Sequence, residues 1–187
     1  MSAPFQVSIF CWFALEVGLL VRDLVRGRAR LRHDRGTRLI VTVSLGVAMV
    51  LGWSVSGSLP WLATPVRGAF AAAGVALIWI GLAVRVWAVL TLGGAFSTYV
   101  QVDGDQQVVT RGPYRWVRHP SYTGLLLICL GFGIGAGNWL SLVICAVVPP
   151  LGLLPRIAVE EAELLRVLGE RYRSYQQTTR RLVPGLW

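Results

Sequence analysis

Residues 122–154 read YTGLLLICLGFGIGAGNWLSLVICAVVPPLGLL, a stretch without a charged side chain. A helix rises 1.5 Å per residue, so about 20 apolar residues cross a bilayer core of about 30 Å. The stretch is too long for one crossing. Gly135-Ala136-Gly137-Asn138 offers a break, since glycine suits a helix C-terminus and asparagine an N-cap. The pattern predicts two short helices, 122–136 and 138–154, forming a hairpin. Pro149, Pro150 and Pro155 are expected to bend or end the second of them.

Three further apolar runs lie upstream: Phe5 to Val21, Leu39 to Ser56, and Val66 to Leu92. The first has neither a basic segment before it nor a small-residue cleavage motif, so it reads as a retained span. The expected fold is therefore all-α and integral to a membrane. It has about five transmembrane helices and a C-terminal amphipathic helix. The chain reads as one membrane domain, 1–187, with a three-span part over 1–92 and a site-bearing part over 93–187.

Composition supports this class. Of the 187 residues, 55% are hydrophobic and 14% charged, which excludes a disordered chain and argues against a soluble domain. All 18 basic residues are arginine. Arg22, Arg26, Arg28, Arg30, Arg32, Arg35 and Arg38 fall between the first two spans. Arg111, Arg115 and Arg118 fall between spans three and four, and Arg156, Arg166, Arg171, Arg173, Arg180 and Arg181 follow span five. With five spans these three segments share one side, leaving Arg67 on the other. The positive-inside rule then puts the N-terminus outside and the C-terminus in the cytoplasm. The net charge of +9 reads as a topology signal rather than a nucleic-acid footprint. Cys11, Cys129 and Cys145 sit in apolar runs without C-x-x-C spacing and read as packing residues. With only His33 and His119 besides, no metal site is expected.

Within the spans, Glu16 and Arg85 are expected to pair, or Arg85 to snorkel. The match of residues 131–136 to G-x-G-x-x-A is rejected as a dinucleotide fingerprint, because it lies in a membrane helix with no preceding strand.

The information about chemistry lies in the polar segments. In the loop from Gly93 to His119, Asp103-Gly104 suits a short hairpin turn. Gly112-Pro113 is a turn signal, and Pro120 suits the first position of a helix. The N-terminus of that helix, near His119, offers N–H groups to an anion; an interfacial anchor of arginine and tyrosine is the plainer reading. From Arg156 to Gln177 a helical stripe runs through Ile157, Leu164, Leu165, Leu168, Tyr172 and Tyr175. Glu161 falls inside this stripe and Glu160 at its border, while Glu163 and Glu170 point away. An acid on a buried stripe needs a partner. That partner is either an arginine such as Arg118 or Arg181, or a cationic ligand.

Gly112-Pro113-Tyr114, then Arg118-His119-Pro120, then Tyr122 and Gly124 resemble the signature of the isoprenylcysteine carboxyl methyltransferase family, which is related to membrane phospholipid N-methyltransferases. Arg156, Glu160-Glu161, Leu164, Gly169, Tyr172, Tyr175, Arg181 and Pro184 resemble its second signature. The resemblance spans roughly residues 90–187. One departure is Arg180, where the family often has proline. The resemblance implies a multi-span enzyme using S-adenosylmethionine. Its cofactor-binding residues would be Gly112, Pro113, Tyr114, Arg118, His119, Pro120, Tyr122, Gly124, Glu161 and Arg181. Arg156, Glu160 and Glu161 would be its catalytic residues. It further implies a lipophilic or lipidated substrate entering from the bilayer, among membrane lipid, with no nucleic acid and no metal. The implied reaction is O-methylation of a prenylcysteine-like carboxylate. A phospholipid amine or a lipophilic thiol is the neighbouring alternative. A sterol-type reductase would be expected to show Arg-His-Pro-Asn-Tyr, but Ser121 stands in place of the Asn. A non-enzymatic scaffold or transporter lacks support from internal repeats.

Overall fold

The computed structural model describes residues 3–26, 36–65, 67–98 and 107–185; the expected turn at Asp103-Gly104 and His33 lie outside them. Among the described residues six α-helices follow in chain order: α1 (Ala3–Val25), α2 (Thr37–Ser58), α3 (Arg67–Leu92), α4 (Pro120–Gly135), α5 (Trp139–Leu168) and α6 (Glu170–Thr178). Short 3-10 turns occupy Pro60–Leu62, Gly93–Ala95 and Gly112–Arg115. Four helices, α1, α2, α3 and α5, are long and apolar enough to cross a membrane, and α4 is a shorter apolar helix of 16 residues. The protein is a multi-pass, all-helical integral membrane protein.

Lipid tails are as apolar as leucine, so helices in a bilayer associate through close packing rather than through escape from water. The α3–α4 seam is built that way. Gly81 faces Gly124 and Gly74 faces Gly131, in antiparallel order. A Cβ on Gly131 would lie 2.7 Å from the Gly74 carbonyl oxygen, and one on Gly81 would lie 2.6 Å from the Gly124 carbonyl oxygen. Only glycine permits backbones this close. On the other side, α2 packs against α5, where the Ser141 hydroxyl donates to the Gly52 carbonyl at 2.6 Å. Phe5 and Trp12 of α1, Leu45 of α2, Ile78 and Leu82 of α3, and Ile128 and Phe132 of α4 fill the shared core, with Cys145 and Leu153 of α5.

The break between α4 and α5 is where the charge-free run placed it. Gly137 has φ 66°, and the Asn138 side chain accepts from the N–H groups of Leu140 and Ser141 as N-cap of α5. Asn138 also donates to the Leu59 carbonyl at 2.9 Å, which ties the hairpin to the end of α2.

Of the two effects expected of the prolines, ending the helix does not occur. The second hairpin helix does not end near residue 154; α5 continues unbroken through Pro149, Pro150 and Pro155 to Leu168. In a membrane, opening the helix would expose further backbone groups to lipid, and packed neighbours can support the few carbonyls a proline frees. Pro149 is fully buried in such packing. The break comes instead at Gly169, whose φ of 56° favours glycine. The expected single helix over 156–177 is therefore the end of α5 plus α6. The apolar stripe survives the break, because Leu168, Tyr172 and Tyr175 form one buried cluster.

Replacing Gly131 by valine is expected to lower stability by about 3 kcal/mol, at the top of the usual range for overpacking. Gly46→Ala, at a helical position with nothing within 4 Å of the added Cβ, is expected to leave stability unchanged or slightly raised. Thermal unfolding in detergent compares the two.

Candidate active site

At one end of the bundle, the turn Gly112–Arg115 leads through Trp116 and Val117 to His119, the residue preceding α4. Gly112 has φ 58°, and a Cβ there would meet the Thr91 Oγ1 at 2.8 Å, so glycine is required on both counts. The C-terminal segment returns to this stretch. Arg118 N–H donates to the Arg180 carbonyl at 2.7 Å, His119 N–H to the Arg181 carbonyl at 3.0 Å, and Arg180 N–H to the Trp116 carbonyl at 3.2 Å. Thr123 Oγ1 donates to the Leu182 carbonyl at 2.7 Å.

Glu161 of α5 lies beneath this pairing. Its Oε1 accepts from Arg118 Nε at 2.8 Å and faces His119 Nε2 at 3.2 Å; its Oε2 accepts from Arg181 Nε at 3.1 Å. An ionised carboxylate only accepts, so His119 Nε2 carries the proton. Arg118 also donates to the carbonyls of Gln176 and Thr179, at the C-terminal end of α6, where a cation suits the helix dipole. Glu161 is 4% exposed. Of the two sequence readings for it, the arginine partners are the contacts it makes.

The neighbouring Glu160 accepts from the Tyr122 hydroxyl at 2.7 Å. That hydroxyl in turn accepts from Arg156 Nε at 3.2 Å. Arg156 further donates from Nη1 to Thr37 Oγ1 at 3.1 Å and from Nη2 to the Thr98 carbonyl at 2.9 Å. His119 and Tyr122 stack with their ring centroids 5.6 Å apart. Deeper in the bundle, Arg85 pairs with Glu16 at 2.5 and 2.7 Å and donates to Ser121 Oγ at 2.6 Å.

Several of these groups border a cavity of about 410 Å³. Its polar wall carries Arg38, Arg118, His119, Tyr122, Arg156 and Glu160. Tyr114, Tyr172 and Tyr175 add an aromatic wall. Burial raises the Tyr175 phenol to about 12, and its hydroxyl donates to the Tyr114 carbonyl at 2.6 Å. Burial, with the nearby Glu160 charge, pushes the Tyr114 phenol upward as well. Both rings stay neutral. Further along the helices, Phe13, Val17, Val41, Leu45 and Leu125 make the cavity apolar. Phe13 is 60% and Val17 41% exposed, so the cavity reaches the outer surface of the bundle beside α1.

Of the expected cofactor-binding and catalytic residues, Tyr114, Arg118, His119, Tyr122, Arg156 and Glu160 border the cavity. Gly112, Pro113, Pro120, Gly124, Glu161 and Arg181 lie behind it. Gly112 shapes the turn, Gly124 admits the α3 backbone, and Glu161 and Arg181 belong to the ion cluster. Pro113 and Pro120 open the 3-10 turn and α4 respectively. Asp23, Thr37 and Thr98 were not singled out, although they complete the polar network.

Comparison with known proteins agrees with this architecture. Residues 74–166 match the model of the isoprenylcysteine carboxyl methyltransferase (ICMT) family. The chain belongs to the ICMT family. It is similar to the protein-S-isoprenylcysteine O-methyltransferase of Tribolium castaneum, at 35% identity over 107 residues, covering 56% of this chain and 38% of that protein. It is similar to protein-S-isoprenylcysteine O-methyltransferase A of Arabidopsis thaliana, at 33% identity over 113 residues, covering 59% and 57%. The solved structure of the eukaryotic intramembrane Ras methyltransferase ICMT aligns with a TM-score of 0.59 and 28% identity, covering 84% of this chain and 55% of that one. The chain thus spans less than two thirds of each. The ICMT match begins inside α3, earlier than the motifs suggested, and takes in the glycine seam.

Removing the anchor of the ion cluster leaves buried cations uncompensated. Glu161→Ala is expected to cost about 3–5 kcal/mol of stability, and Glu161→Gln less. Glu170→Ala, on an exposed side chain, should stay within about 0.5 kcal/mol of the parent. Thermal melting of the three purified variants checks the order.

Proposed function

We propose that this ICMT-family chain transfers a methyl group from S-adenosylmethionine to the carboxylate of a prenylcysteine-like lipid. The observation that carries the reading is the single cavity joining the Arg156–Tyr122–Glu160 network to an apolar wall that reaches the bundle surface. A lipid chain fits the apolar part, and its polar head fits the network.

The side chains suit the donor. Glu160 offers a carboxylate to its cationic groups, the rings of Tyr114, Tyr172 and Tyr175 offer flat surface to adenine, and Arg118 and His119 suit its carboxylate. When bound, S-adenosylmethionine supplies an electrophilic methyl group. The chain's own work is positioning. An α-carboxyl group with an ordinary pKa of about 3.3–3.7 is ionised near neutral pH, so it needs no general base. Arg156, held by Tyr122, Thr37 and Thr98, aims a planar guanidinium suited to carboxylate geometry. A phospholipid amine would instead require a proton acceptor, a role that falls to Glu160.

Methyl transfer from radiolabelled S-adenosylmethionine to a panel of a prenylcysteine, a phospholipid amine and a lipophilic thiol tests the reading. The prenylcysteine should be labelled as a base-labile ester. Arg156→Ala should lower kcat/KM about 10–100-fold, the loss expected for charge-assisted hydrogen bonds. Labelling confined to the amine or the thiol would reassign the acceptor, and no labelling at all would end the proposal.

The same reading puts the arginine-rich end in the cytoplasm, with five crossings. A cysteine at Ser174 should react with an impermeant reagent only from the cytoplasmic side, and one at Ser58 only from outside. Reaction of both from one side would refute this arrangement.

A further inference from the structure

Asp23 sits near the end of α1 with its side chain fully buried. A buried carboxylate is costly unless its oxygens are satisfied. Here Oδ2 accepts from the Thr98 N–H at 2.6 Å and from the Thr98 hydroxyl at 2.7 Å. Both donors of Thr98 are thus turned toward α1. The preceding Arg22 donates to the Phe96 carbonyl at 2.9 Å and lies over the Phe96 ring, 5.2 Å from its centroid. Two consecutive charged residues therefore fasten the segment 96–98, which borders the cavity.

The consequence lies on the other side of Thr98. Its carbonyl accepts from Arg156 Nη2 at 2.9 Å. The other two acceptors described for Arg156, the hydroxyls of Thr37 and Tyr122, belong to helices α2 and α4. Thr98 belongs to no helix, so its place must be set by a tether, and Asp23 is one. Neither Asp23 nor Thr37 falls within the family-matched stretch 74–166. α1 thus reaches the site through a loop.

We propose that Asp23 is a positioning residue for the acceptor: by fixing Thr98 it sets the carbonyl that aims the Arg156 guanidinium at the acceptor's carboxylate. This role rests on the methyltransferase reading above. Asp23 does not line the cavity, so its loss should act through Thr98 and Arg156, on acceptor binding alone.

The test uses the full chain in detergent. KM is measured separately for a prenylcysteine and for S-adenosylmethionine. Phenylglyoxal modification of Arg156 is mapped by peptide mass, with the buried Arg85 as internal reference. Asp23→Ala should raise the acceptor KM about tenfold, the loss of a charge-assisted hydrogen bond, with kcat and donor KM within about twofold. Arg156 should be modified faster than in the parent, with Arg85 unchanged. Asp23→Asn keeps one neutral acceptor and should raise the KM about threefold; it carries the test if the alanine variant does not fold. An unchanged acceptor KM, a parallel rise in donor KM, or unchanged Arg156 modification would each overturn the role of Asp23. A parent chain inactive on prenylcysteine would overturn the carboxylate-acceptor reading, and the acceptor role of Asp23 with it. Arg156 modification reports on the Asp23 coupling separately from activity.

Discussion

One buried carboxylate, Glu161, holds three cationic or N–H-bearing groups from two places: Arg118 and His119 before α4, and Arg181 in the C-terminal segment. Much of the arginine-rich end depends on it. With Arg118 and His119 held from below, their backbone N–H groups meet the carbonyls of Arg180 and Arg181. With Arg118 reaching on to Gln176 and Thr179, the end of α6 is fastened to the same point. The cavity walls follow. His119 stacks on Tyr122, and α6 delivers Tyr175, whose hydroxyl fixes the Tyr114 carbonyl. Charges as buried as Glu161 and Arg118 make no cheap contribution to stability. They are better understood as registration, since Glu161 ties the segment before α4 and the C-terminal segment to one point on α5.

The α3–α4 seam works at a different depth but toward the same end. Because Gly124 lets the α3 backbone approach, a Cβ there would lie 3.0 Å from the Arg85 Cβ. The same closeness puts the Arg85 guanidinium against Ser121 and leaves its remaining face for Glu16. An ionisable pair inside a membrane protein is tolerated when both members are satisfied by protein. Here that satisfaction is a by-product of glycine packing, and it is also what draws α1 onto the bundle beside the cavity.

Much of this was legible in the sequence because its causes are local. A charge-free run exceeding one crossing, interrupted by Gly-Ala-Gly-Asn, can hardly be other than a hairpin, and the N-cap is Asn138 as read. Glu161 stood out because an acid on an apolar stripe demands a partner, and Arg118 and Arg181 were named for it. The prolines do not end α5, because a helix opened here could not fall back on water as it would in solution, and α5 is packed against α2. The break at Gly169 left no trace in the periodicity, since the stripe continues in phase through Tyr172 and Tyr175. Asp23 and Thr98 were invisible for a different reason. They are 75 residues apart, and a single aspartate among arginines at a helix end reads as ordinary surface.

The dipeptide Glu160-Glu161 shows how helix geometry divides labour between like residues. Neighbours on an α-helix point about 100° apart. Glu161 therefore faces the ion cluster while Glu160 faces Tyr122 and the cavity. Because three groups grip Glu161, the rotation of α5 about its own axis is fixed at this level, and the direction of Glu160 is fixed with it. Arg156, four residues before Glu160, lies on the same side of α5 and meets the same Tyr122 hydroxyl. The anchor thus orients the cavity pair without touching the cavity. The two glutamates are not interchangeable: exchanging their surroundings would require turning α5 by a quarter turn, against the packing of Leu153 and Ile157 in its buried face.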